Sequence, residues 1–144
     1  MNWDRIYQIG VVVTDLDEAI AHYAKAGIGP FHEGPSETAS DRRVHGVPSD
    51  AVVRGACVQL GPIELELLQP VSGDSVQAEV LRDRGEHALH VCAYTDDLDA
   101  DTAEMAEAGF PVVSEGSLTD GGRFAYFDTR AVGGLILERH ELPR

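Results

Sequence analysis

Basic residues are scarce in this chain: 11 Lys and Arg stand against 25 Asp and Glu in 144 residues, for a formal net charge of −14. That balance excludes a nucleic-acid partner, because phosphate binding needs clustered Lys and Arg. It also excludes adsorption to an anionic membrane surface. It leaves room for an anionic small molecule, since one local site can differ from the global field. Cysteine is nearly missing. Cys57 and Cys92 lack CxxC spacing and sit inside apolar strand-like runs, so they read as buried free thiols. No apolar run reaches the length of a membrane span. The start, Met1-Asn2-Trp3-Asp4-Arg5, has no apolar secretory region, and the expected compartment is the cytoplasm. There is no P-loop or dinucleotide fingerprint; the glycine-rich stretches 119–122 and 132–134 read as turns. No low-complexity segment or linker divides the chain, so one domain over 1–144 is expected.

What the chain does have is a repeat. Gln8-Ile9-Gly10-Val11-Val12-Val13-Thr14-Asp15-Leu16-Asp17 aligns without gaps on His90-Val91-Cys92-Ala93-Tyr94-Thr95-Asp96-Asp97-Leu98-Asp99, 82 residues later. The register holds through Gly27 and Gly109. Two copies at so long a period do not make a solenoid. They make two related modules, 5–70 and 86–142, joined by a connector at 71–85. Each reads as strand–helix–strand–strand–strand.

In the first module, 6–13 is a β-branched apolar strand. Asp15, three residues before Glu18, caps a helix carrying Leu16, Ile20, Tyr23 and Ala24, which closes at Gly27. Residues 34–50 lack periodicity and read as a mobile excursion, a flap over a site. A hairpin follows, 51–60 with 63–68, turning at Gly61-Pro62. A short helix is expected around 76–82. The second module has a strand at 88–94, a helix at 98–108, and strands at 111–115, 123–128 and 135–139.

The repeat pairs polar residues. Gln8 matches His90, and Glu66 and Glu138 close the last apolar strand of each module. A carboxylate inside such a run needs solvent, a salt bridge or a cation. One amide, one imidazole and two carboxylates suit a divalent metal: Mn, Co, Ni, Zn, Fe or Mg. Open positions on it would polarise a carbonyl, with a loosely held glutamate as the base. Residue types alone favour another arrangement, exposed carboxylates on a half-solvated sheet and a satisfied core histidine; the symmetric pairing in the repeat points back to a shared site. For a second acid/base, Glu64, Glu33 and Glu37 are available. Arg42-Arg43-x-His45 is the local basic cluster, suited to a carboxylate or phosphate. His140 shares strand parity with Glu138, whereas His87 faces away from His90.

These residues resemble the vicinal oxygen chelate superfamily, which includes glyoxalase I, methylmalonyl-CoA epimerase, extradiol dioxygenases and bleomycin-resistance proteins. The resemblance runs from Ile6 to Glu141, on the 8–17 motif, Ile63-Glu64-Leu65-Glu66-Leu67-Leu68-Gln69-Pro70, Gly85-Glu86-His87-Ala88-Leu89-His90-Val91 and Gly133-Gly134-Leu135-Ile136-Leu137-Glu138. Glu66–Pro70 and the Gly-Gly-Leu-Ile-Leu-Glu ending look most like the epimerase and its glyoxalase-like relatives. The resemblance implies an α+β fold, two paired βαβββ modules forming a cupped mixed sheet around a metal. It implies His90, Glu138 and Glu66 as ligands, with Gln8 where many relatives have His. It implies an enzyme that abstracts a proton alpha to a carbonyl and stabilises an enediolate, with Glu66 and Glu138 catalytic. The substrate would be a small carbonyl compound, an acyl-CoA first, and the protein a homodimer. A glyoxalase-type lyase or isomerase, and a metal-free drug or metabolite binder of the bleomycin-resistance type, are the alternatives.

Overall fold

A computed structural model of the chain describes residues 1–34 and 41–144. Its elements are β1 (Ile6–Val12), α1 (Leu16–Lys25), β2 (His32–Glu33), β3 (Arg43–Val44), β4 (Val47–Pro48), β5 (Val52–Leu60) and β6 (Ile63–Ser72). Then come α2 (Val76–Arg84), β7 (His87–Thr95), α3 (Leu98–Glu107), β8 (Val112–Ser117), β9 (Arg123–Phe127) and β10 (Ile136–Glu141). The helix starts follow the sequence signals. The Asp15 carboxylate accepts from the Glu18 N–H and that of Asp97 from the Ala100 N–H, each satisfying a donor that the first turn leaves open. Gly27 (φ +79°) and Gly109 (φ +87°) follow the ends of α1 and α3.

The strands form one sheet in the order β2-β5-β6-β1-β7-β10-β9-β8-β3-β4. This is a mixed sheet in an α+β fold. Its centre carries the internal symmetry: β1 and β7 run antiparallel, and each is flanked by a parallel partner, β6 and β10 respectively. Gly10 stands opposite Glu66, and Cys92, its equivalent in the repeat, stands opposite Glu138. The two glutamates are thus symmetric mates.

Three apolar clusters hold the sheet. Leu16 of α1 packs with Ala56 and Leu67 of β5 and β6. Leu98 and Met105 of α3 pack with Ala125 and Phe127 of β9. On the other face, α2 places Val76 and Val80 against Val12, Leu68, Leu89, Phe124 and Ile136. Each large apolar side chain so buried contributes about 1.5–3 kcal/mol. No helix among the described residues is long and apolar enough to cross a membrane.

The 34–50 excursion departs from expectation. Residues 35–40, with Glu37, lie outside the described residues. From Asp41 onward the segment is fixed. β3 and β4 form a tight hairpin, and β3 pairs with β8 of the second half, so a piece of the first half extends the second half's sheet. Asp41 fastens this crossing, its carboxylate accepting from the Ser117 N–H at 2.8 Å and hydroxyl at 2.6 Å. Periodicity could not reveal it, because each strand is two residues long.

Candidate functional site

Four consecutive central strands each deliver one of the four paired residues to the face on which α2 packs, beside the α2 contact: Glu66 from β6, Gln8 from β1, His90 from β7 and Glu138 from β10. His90 is at their centre, with no exposed surface. Its Nε2 lies 3.1 Å from Gln8 Oε1, 3.1 Å from Glu138 Oε2 and 3.5 Å from Glu66 Oε2. The other ring nitrogen, Nδ1, is 3.4 Å from the Tyr126 hydroxyl, which also receives the Gln77 amide at 3.4 Å. Burial pushes the imidazole down to about 3, so it is neutral at pH 7. A neutral ring facing two carboxylates with one nitrogen supplies no charge to balance them.

Space for the ring comes from Gly10, which faces His90 across the β1–β7 pair. A Cβ at position 10 would lie 2.1 Å from His90 Cε1. A register shift between Gly10 and Val11 inserts Leu89 as an extra residue in β7. Both Leu89 and His90 are thereby fully buried. A second shift, between Ile6 and Gln8, lets Tyr7 line the same cleft as Gln8 despite the odd spacing. Tyr7 stacks on Tyr94 with centroids 3.9 Å apart, and its hydroxyl meets His140 Nδ1 at 2.7 Å. Burial raises the Tyr7 phenol far above its usual range and lowers the His140 imidazole, so this pair is neutral.

The cleft holds about 90 Å³. Its wall includes Tyr7, Gln8, Glu66, Glu138 and His140, with Arg42 entering from the crossing hairpin. Arg42 is 4% exposed, and its guanidinium carbon lies 5.8 Å above the Phe124 ring. The alternative of half-solvated strand carboxylates does not describe Glu138, which is 8% exposed. Of the candidates for a second acid/base, Glu64 accepts from the Gln8 amide at 2.8 Å, and Glu33 is engaged by Arg54 on the surface. His87 stands apart, its Nδ1 on the Gly85 carbonyl. Arg42, Tyr7, Gln77, Tyr126 and His140 complete the site. The sequence marks Arg42 as part of a basic cluster and His140 by its parity, whereas Tyr126 and Gln77 carry no signal that separates them from core.

The donor set, one imidazole, one amide oxygen and two carboxylates, fits a divalent cation in its chemistry. Ligands sharing one ion through bonds of about 2.1 Å stand roughly 3.0–3.5 Å apart. The distances around His90 fall in that range, and Glu66, at 3.5 Å, is the loosest member. Among the described residues, no group of three or more His, Cys, Asp or Glu side chains is placed to hold a metal ion by itself. For His90 to ligate through Nε2, Nδ1 must carry the proton, and the Tyr126 hydroxyl is placed to accept it.

Comparison with known proteins follows the same lines. The family model described as the glyoxalase/bleomycin resistance protein/dioxygenase superfamily matches residues 7–127. Among curated proteins, none matches the chain. Solved structures do. A variant of Streptomyces coelicolor methylmalonyl-CoA epimerase in complex with 2-nitronate-propionyl-CoA superposes with a TM-score of 0.73 at 26% identity, over 99% of this chain and 100% of that one. A methylmalonyl-CoA epimerase in complex with methylmalonyl-CoA and NH4+ gives 0.72 at 26% identity, over 98% and 96%. The Mycobacterium tuberculosis epimerase, at 22% identity and a TM-score of 0.72 over 99% and 90%, shares the fold.

Proposed function

The chain belongs to the glyoxalase/bleomycin resistance/dioxygenase superfamily, and from that membership we propose that it is a metal-dependent isomerase that moves a proton alpha to the carbonyl of an acyl-CoA, in the manner of methylmalonyl-CoA epimerase. The observation that carries the reading is the convergence of Gln8 Oε1, Glu66 Oε2 and Glu138 Oε2 on the neutral His90 Nε2 within one cleft. Support comes from neighbours that hold acyl-CoA molecules.

When bound, a divalent metal held by Gln8, Glu66, His90 and Glu138 supplies Lewis-acid polarisation of the substrate carbonyl. The chain's own residues do the rest. Glu66 and Glu138 come from symmetric strands on either side of the β1–β7 pair. One, as the carboxylate, accepts the proton from the carbon next to the carbonyl, and the other, entering the cycle as the carboxylic acid, gives its own proton to the opposite side, which inverts that centre and exchanges the two roles. Tyr126 and Gln77 keep His90 oriented. The partner molecule is then a small acyl thioester, and the protein works as a homodimer.

The test is proton exchange. Incubated in D2O with Mn²⁺, Co²⁺ or Zn²⁺, the protein is expected to add one deuterium to methylmalonyl-CoA and racemise it. Glu138→Gln is expected to slow exchange by at least about 10²-fold, the usual worth of a positioned acid or base. No exchange with any metal overturns the reading. One feature favours a metal-free binder instead: Gln8 offers only a neutral amide oxygen, and its nitrogen is tied to Glu64. Full methylmalonyl-CoA binding in chelator, with no exchange, would establish that second reading.

A further inference from the structure

We infer that Arg42 anchors an anionic group of the substrate in this cleft, so that the chain selects acyl thioesters bearing a carboxylate beside the carbonyl over neutral ones of equal size. The inference rests on the reading of the cleft as an acyl-thioester site. The cleft presents two carboxylates, Glu66 and Glu138, in a chain of net charge −14. A divalent metal would balance those two charges, so an anion entering there still gains from a side-chain cation of its own. Among the described residues that line the cleft, Arg42 is the one Lys or Arg.

Its placement is built from both sides. Asp41 is fastened to Ser117 by two hydrogen bonds, and the Arg42 carbonyl accepts from the Ser49 N–H at 2.9 Å. The next residue, Arg43, pairs with Glu115 of β8. The Phe124 ring lies under the guanidinium. A side chain held this way is pre-organised, and its planar fork matches a carboxylate with two parallel hydrogen bonds. The donors on the four central strands obey a two-fold; Arg42, delivered by one crossing hairpin, does not. It therefore gives the substrate one orientation.

A merely structural Arg42, neutralising Glu66 and Glu138, predicts different behaviour, and paired ligands separate the two. Methylmalonyl-CoA and isobutyryl-CoA differ by a carboxylate in place of a methyl. Their affinities are measured by calorimetry on the full chain with Mn²⁺. Wild type is expected to prefer methylmalonyl-CoA by about 10- to 100-fold, the range of a charge-assisted bidentate contact. Arg42→Gln is expected to bring the ratio to within about threefold, and Arg42→Lys to an intermediate value. Exposed Arg43, whose Nη1 donates to the Gly46 carbonyl, is the control: Arg43→Gln keeps the wild-type ratio. A wild-type ratio near one overturns the inference, as does an Arg42→Gln protein that loses both ligands equally. Should Arg42→Gln fail to fold, the wild-type ratio and Arg42→Lys decide. Should neither thioester bind wild type, the proposed function falls, and malonate on metal-free protein becomes the probe. Malonate held by wild type and lost in Arg42→Lys keeps the anchor; malonate bound by neither overturns it.

Discussion

Gly10 and His90 depend on each other. The ring occupies the space where any other residue at position 10 would put its first carbon, 2.1 Å from Cε1. Gly10→Ala is therefore expected to displace the imidazole, costing about 1–3 kcal/mol by overpacking. It should also weaken metal binding at least tenfold; thermal melts and a Co²⁺ titration check both. Gln8→His acts in the opposite direction. It replaces a neutral amide oxygen with an imidazole and releases Glu64, so Zn²⁺ or Co²⁺ affinity is expected to rise by tenfold or more by competition with a chelator dye. At this scale the repeat made Gln8, His90, Glu66 and Glu138 legible, because it showed them as pairs. Gly10 was legible only as a glycine in a strand, which signals a bulge or a close approach without saying to what. Tyr7 was hidden, since the register shift beside it breaks the alternation from which its facing would be read.

The crossing hairpin is the element on which the cleft's shape turns. Its tip is latched from outside: His45 Nε2 meets Glu79 Oε2 at 2.7 Å, and Arg130 bridges Glu79 at 2.7 Å to Asp128 at 2.8 Å. Partial burial pulls the Glu79 carboxyl upward, but the hydrogen bonds and charges of His45 and Arg130 outweigh it and hold the group below its usual range. A carboxyl with a lowered folded value stabilises fully above its unfolded value, about 4.3, and loses that contribution as pH falls through the folded value. The midpoint gap between wild type and Glu79→Gln is therefore expected at pH 6–7, worth about 1–2 kcal/mol, and should close near pH 3. A gap that persists at pH 3 would assign the stabilisation to packing instead. The sequence marked the long strands by their apolar runs, α1 by its period and cap, α3 by the repeat, and α2 only as a short helix around 76–82. It could not mark this hairpin. The segment that carries it has no period, and its anchor, Ser117, lies 76 residues from Asp41.

For the molecule as a whole, the repeat announced two halves, and the sheet joins them through β1 and β7 with their parallel flanks. What it could not announce is the asymmetry, a first-half hairpin closing the second half's edge. Because the donor cluster draws on four strands of both halves, a cation there braces the entire sheet. At a hundredfold excess over its Kd, a bound metal is expected to add about 2.7 kcal/mol. For a chain of this size that is a rise of roughly 5–10 °C in Tm, reversed by chelator and absent in His90→Ala; scanning calorimetry measures it. The ends of the sheet carry another consequence. Among the described residues the outermost strands of the sheet are two residues long, β2 and β4, the latter ending in Pro48, and β2 covers only Ala56 and Cys57 of the nine-residue β5. A proline offers no backbone donor, and two residues make a poor template for another chain's strand. Growth of the sheet through either stub is therefore disfavoured, and any strand added by another chain is expected along β5 beyond Ala56 and Cys57, where amide hydrogen exchange would slow on association.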